Sequence, residues 1–162
     1  MSRRMTSTTF IIILAIAAGV SFGLLFLLRD GGSSLNDYFQ ELAPLINTID
    51  DRSGAQRIEA PNQAFAAWGF VVSQTANDLE DIDPPGTVAE AHQELTSAMA
   101  DVAAGMLRLS AENANVGTLE EAEQLRNQDE ELRAADGRAR AACAELEQIA
   151  EENDIPVDLE LC

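Results

Sequence analysis

The chain has 162 residues, with 10 basic and 28 acidic side chains, a formal charge of −18, and arginine as its only strongly basic residue. A summed field of this sign repels nucleic acid and anionic lipid headgroups. The lack of lysine excludes a P-loop and Schiff-base or pyridoxal chemistry, and the single histidine excludes three-histidine zinc centres and paired Glu-x-x-His sites.

Phe10 to Leu28 form an uncharged run of nineteen residues behind Arg3 and Arg4. At ~1.5 Å per helical residue the run reaches ~28 Å, close to the hydrocarbon thickness of a bilayer. A signal-peptide core is shorter, about 7–15 residues, so a retained transmembrane anchor is expected over residues 10–28. The arginines before it put residues 1–9 in the cytoplasm, and residues 29–34 become a linker to an extracytoplasmic domain at 35–162. This places the chain in the plasma membrane as a single-pass protein. The rival is cleavage among Gly31, Gly32, Ser33 and Ser34, with Gly32 and Ser34 flanking the cut. A lipoprotein signal needs a cysteine just after the run, and the only cysteines are Cys143 and Cys162.

Within the run, Ala15, Gly19 and Gly23 recur every fourth residue. That spacing lets two membrane helices approach closely, which predicts a homodimer through the anchor. The plain alternative is that small residues are common in membrane spans.

Charge divides the chain. Residues 1–34 hold three arginines and one aspartate, whereas residues 35–162 hold seven arginines against 27 acids. Basic partners, cations or a salty medium suit such a domain, and a solvated face that keeps it soluble is the simpler reading.

Past the anchor, apolar spacing is helical throughout. The first segment runs from Leu35 to about Arg52, with Leu35, Tyr38, Phe39, Leu42, Leu45, Ile46 and Ile49 on one stripe. Ser34 is its expected N-cap, and Pro44 predicts a kink or break inside it. The second helix is expected from Pro61 to Ile82 along Phe65, Trp68, Val72, Thr75, Leu79 and Ile82, ended by Asp83-Pro84-Pro85-Gly86. Thr87 and Glu90 read as a capping box opening the third helix, whose stripe is Val88, Leu95, Met99, Val102, Met106 and Leu109. Thr118 and Glu121 repeat that pattern and open a long fourth helix to about Glu152, with Leu125, Leu132, Ala139 and Leu146 every seven residues. Gly137 is the expected point of bending in it.

After the fourth helix, Ile155, Val157, Leu159 and Leu161 alternate with polar residues as an extended strap suited to a groove between helices. If the strap doubles back, Cys143 and Cys162 meet and close a loop worth about 3 kcal/mol in the chain-entropy model. An even cysteine count outside the cytoplasm favours that disulfide. Its rival is a reactive Cys143 with His92 as base.

His92 borders the apolar stripe of the third helix. A packed or capping histidine is the plain reading; a pH sensor or ligand residue completed by acids from another helix is the sharper one. The clusters Glu120-Glu121-Glu123 and Asp129-Glu130-Glu131 invite calcium, but they lack the alternate acids and central glycine of an EF-hand loop. Adjacent acids on a helix also point in different directions, so a solvated face is the expectation.

Tyr38-Phe39 in an early helix, Pro84-Pro85 followed by Val88 and His92, then Cys143 through Val157-Asp158-Leu159 to Cys162, resembles a group of uncharacterised bacterial cell-surface helical proteins. These are held by a lipid or one membrane helix. The resemblance implies an extracytoplasmic helical domain with a terminal disulfide and carries over no catalytic residue. This chain departs from the lipid-anchored members in lacking a cysteine after its apolar run.

The fold expected is all-α: one N-terminal transmembrane helix, an antiparallel four-helix bundle, and a disulfide-pinned extended C-terminal tail. No catalytic, cofactor-binding or metal residue is assigned, no Gly-x-Ser-x-Gly or Gly-x-Gly-x-x-Gly motif occurs, and no enzyme is expected. The function expected is an interaction or structural module at the cell surface, with the membrane and a basic envelope protein as partners and no nucleic acid. The alternative is an extracytoplasmic domain that binds or senses a cation or small ligand.

Overall fold

Side-chain caps open three of the five described α-helices. The computed structural model describes residues 34–49, 51–52 and 61–159 of the unit Ser33–Cys162. The expected anchor at 10–28 with Ala15, Gly19 and Gly23, the linker residues before Ser34, and Cys162 lie outside the described residues. No described helix is long and apolar enough to cross a membrane. The described residues are all-α, in five α-helices and one 3-10 turn: α1 Leu35–Asn47, a 3-10 turn Pro61–Gln63, α2 Ala64–Glu80, α3 Ala89–Glu112, α4 Leu119–Gln128 and α5 Glu130–Glu152.

Ser34 caps α1 as expected, its hydroxyl accepting from the Asp37 amide at 3.2 Å. Of the kink or break expected at Pro44, the break does not occur: α1 continues through it to Asn47, and Thr48 donates to the Pro44 carbonyl at 2.7 Å. Pro44 is exposed near the end of the helix, where few turns depend on its missing N–H.

The capping box at Thr87 is also not formed. The Val88 amide instead bonds the Pro85 carbonyl at 2.9 Å, closing the proline turn on itself. Val88 is thereby drawn into the core, and α3 starts one residue later without a side-chain cap. Thr118 behaves as predicted, accepting from the Glu121 amide at 3.1 Å. The Glu121 carboxylate reaches back to the Gly117 amide at 2.9 Å, one residue earlier than in a standard capping box.

The single long fourth helix is corrected to two. The chain breaks at Asp129, with φ −72° and ψ 112°, and Gly137 lies unbroken inside α5. Asp129 accepts from the Leu132 amide at 2.9 Å and from Arg108 at 2.7 Å, so one carboxylate caps α5 and ties it to α3. An N-cap aspartate held by an arginine on a neighbouring helix is a stronger local stop than an exposed glycine.

α3 is the central helix. Its residues facing α2 include Met106, beside Gly69, while Gly105 faces Leu132 of α5. Arg138 of α5 spans Glu94 at 3.0 Å and Asp101, and Arg108 reaches Asp129, so α3 and α5 run antiparallel. Tyr38, Phe39, Leu42, Phe65, Leu79, Leu95 and Leu146 are among the fully buried side chains of the single core.

At the end of α5 the chain turns back. Asp154 adopts φ 57°, the Ile155 amide bonds the Ala150 carbonyl at 2.9 Å, and the Asp154 amide bonds Glu151 at 3.1 Å. This pattern is a Schellman motif with aspartate at the left-handed position. The strap then lies along the bundle as expected: the Leu159 amide donates to Glu147 at 2.9 Å, and Asn47 donates to the Asp158 carbonyl at 2.8 Å. Leu159 is buried at 1% exposure.

Candidate functional site

The chain's one histidine sits where three helices converge. His92, in the first turn of α3, is 5% exposed and Tyr38, in the first turn of α1, is 0% exposed. The Tyr38 hydroxyl lies 3.1 Å from His92 Nδ1, and the two rings meet edge-to-face at 5.6 Å between centroids. Phe39 packs edge-on against Tyr38 at 5.1 Å. The backbone of Leu79, near the C-terminal end of α2, lies beside the imidazole as well.

These contacts fix the electrostatics. Burial pushes the Tyr38 phenol well above its ordinary pKa, so it stays protonated and donates to Nδ1. Burial lowers the His92 pKa, and the Leu79 backbone offsets part of that shift. A neutral imidazole with its proton on Nε2 leaves Nδ1 free to accept from the Tyr38 hydroxyl. The plain reading of His92 as a packed residue therefore describes its surroundings. The structure places Tyr38 as its partner, and it does not give His92 a bond to Cys143.

An open groove of about 540 Å3 passes over His92, edged by Glu80 and Asp101 and floored in part by Ile82, Pro84 and Thr96. Asp101 is engaged by Arg138. Cys143 is 2% exposed and lines a separate cavity of about 50 Å3 with Ile46, Leu95, Met99 and Ala139. It is not presented to solvent as a nucleophile would be. Among the described residues every buried side-chain nitrogen and oxygen has a hydrogen-bond partner, and no group of three His, Cys, Asp or Glu side chains is placed to hold a metal ion.

The acidic clusters divide by role. Glu120 and Glu121 occupy the first turn of α4 and Glu130 and Glu131 that of α5, where a helix dipole favours negative charge. Asp129 is the exception, since it caps α5. Its carboxyl is held below the usual aspartate range, first by the Leu132 amide and then by Arg108. The sequence signal for this role was an acid preceding an apolar position by three residues, hidden among neighbouring acids. Tyr38 as partner of His92 carried no local signal, since 54 residues separate them.

Comparison with protein-family models, curated proteins and solved structures found no match to this chain.

Proposed function

We propose that the chain is a membrane-anchored extracytoplasmic helical protein that serves as an interaction or structural module at the cell surface. The observation that carries this reading is how the bundle uses its polar side chains. Tyr38, His92 and Asp129 are committed to joining helices, while the surface keeps the many acids whose field suits a basic partner. The apolar run 10–28 behind Arg3 and Arg4 supports the anchor, and Ala15, Gly19 and Gly23 support a homodimer within it. The resemblance to bacterial cell-surface helical proteins points the same way.

A terminal disulfide between Cys143 and Cys162 belongs to this reading. The strap returns along α5 as far as Leu159, whose amide bonds Glu147, one helical turn from Cys143. That supports the pairing, as does an extracytoplasmic location.

A second reading is favoured by the open groove over His92, where the exposed Glu80 at its edge suits a small cation. Crosslinking of the full-length protein in its native membrane, followed by mass spectrometry, tests the two. A reproducible basic partner, lost when residues 35–162 are replaced by an unrelated domain, is the expected result. Recovery of no other protein, with saturable stabilisation by a divalent ion at constant ionic strength, would replace the module with the ligand-binding reading.

A further inference from the structure

α4 is locally well made but lightly docked. Thr118 caps its first turn, Glu120 and Glu121 stand at the positive end of its dipole, and Arg126 stands at the negative end. These local terms hold Leu119–Gln128 as a helix. Docking is weaker: Ala122 is buried, Leu125 and Arg126 are half-buried, and the other seven residues are exposed. α5, by contrast, buries seven side chains. The ion pair from α4 to α5, Arg126 with Asp136, spans 3.9 Å between half-exposed groups, and Asp136 is already held by Arg140 at 3.0 Å. Such a pair contributes little.

The joint with α5 is a single residue. The Asp129 carboxylate and carbonyl belong to the bundle: Oδ1 accepts from the Leu132 amide, Oδ2 from Arg108, and the carbonyl from the Arg133 amide at 3.1 Å. The Asp129 amide belongs to α4, bonding the Leu125 carbonyl at 3.2 Å. The N–Cα bond lies between the two sets, so rotation about φ moves α4 and leaves the cap and the Arg108 contact in place. At a ψ of 112° the extended region allows φ from about −60° to −160°, and Asp129 stands near one edge at −72°. Most of a right angle is sterically open to it.

We propose that α4 is a lid that swings as a rigid helix about Asp129. Closed, it packs on the 3-10 turn and on α2 and α3. α2 begins at that turn, with Ala64 and Phe65 fully buried. Open, it leaves that end of the bundle. The other tether, residues 113–118, buries only Val116 and reaches ~20 Å when extended, more than the ~15 Å length of α4. The loop therefore permits the swing. Little apolar surface is given up on opening, so the open state is a minor one of about 1–10% of molecules. A partner that binds the two states unequally shifts the balance by that difference.

The test is electron–electron distance measurement on the full-length protein in detergent. Spin labels are carried on ketone-bearing residues at positions 123 of α4 and 104 of α3, with both cysteines left in place. Positions 104 and 148 form the control pair on α3 and α5. The expected result is one main 104–123 distance in the wild type. Ala122→Glu, which puts a charge into the buried seat, should raise a second distance by about tenfold or more. Leu125→Gln, at a half-buried position, should raise the same second distance to a smaller extent. Helical circular dichroism and the 104–148 distance should stay unchanged in both variants. A single unaltered 104–123 distance in both variants would overturn the proposal. So would loss of about ten residues' helical signal, since α4 would then melt instead of swinging. Cooperative unfolding of the domain by Ala122→Glu, or a shifted 104–148 distance, would make α4 part of the core and overturn it as well.

Discussion

The hydroxyl of Tyr38 lies 3.1 Å from Nδ1 of His92 across 54 residues of sequence, a buried contact that fixes the first turn of α1 on the first turn of α3. Tyr38→Phe keeps the ring packing and removes only the donor. His92 Nδ1 is then left unsatisfied in the core, a loss of about 1–3 kcal/mol. Urea denaturation should show a lower midpoint with an unchanged m-value. His92→Gln should leave partner binding intact if the histidine is purely a packing residue.

The same pair predicts a pH dependence with a defined sign. The His92 pKa is lowered in the folded state, so on acidification the unfolded chain takes up its proton first. Stability therefore declines as pH falls below ~6.5 and levels off once the folded pKa is passed. Tyr38, the Leu79 backbone and the groove-edge carboxylates of Glu80 and Asp101 are the polar groups around it. Between pH 7.5 and 5.5 the wild type should lose stability relative to His92→Gln. Parallel curves for the two proteins would count against the assignment.

Asp129 determines where the fourth helical segment divides. Asp129→Ala removes the cap on the Leu132 amide and the strongest partner of Arg108. Loss of the cap alone costs about 1 kcal/mol. Hydrogen exchange should quicken at the Leu132 amide and in the first turn of α5, with little change in the middle of α3. The carboxyl is held below its ordinary range, so its contribution is present above the unfolded aspartate pKa and is lost as pH falls through the folded value.

Two glycines should respond in opposite directions. A Cβ on Gly69 would meet Met106 Cβ at 3.0 Å, between two helices that cannot both give way easily. Gly69→Val should destabilise by about 1–3 kcal/mol through overpacking. Gly137 has open space around it in mid-helix, and Gly137→Ala should stabilise by about 1 kcal/mol. Thermal melts of both variants check the pair.

The proposed terminal disulfide makes its own prediction. Non-reducing peptide mapping should recover Cys143 and Cys162 in one linked fragment, and Cys162→Ser should cost about 3 kcal/mol. Separate thiol-bearing peptides from protein prepared without reductant would remove the disulfide from the account.

Helix faces were legible in the sequence wherever large side chains carry them. Phe65, Val72, Leu79, Leu95, Met106, Leu132 and Leu146 recur at helical spacing and all are buried. Much of the remaining interface consists of Ala64, Ala91, Ala98, Ala103, Ala122 and Ala150, whose small side chains give little apolar signal and occur on exposed faces as readily. Boundaries were legible where one side chain makes the cap, as at Ser34 and Thr118. They were not where a longer-range partner decides, since Asp129 gains its Arg108 contact only after α3 and α5 pack. For the same reason the position of His92 was visible but its partner was not.

The most direct measurement is protease treatment of sealed membranes carrying the full-length chain, after a carbonate wash and with the enzyme on the extracytoplasmic side. The expected result is that the chain stays with the membrane and is digested to a short protected fragment containing residues 10–28. A chain released by carbonate, one already trimmed to begin after Gly32, or one fully protected from the protease would contradict an acidic helical domain displayed from a retained anchor.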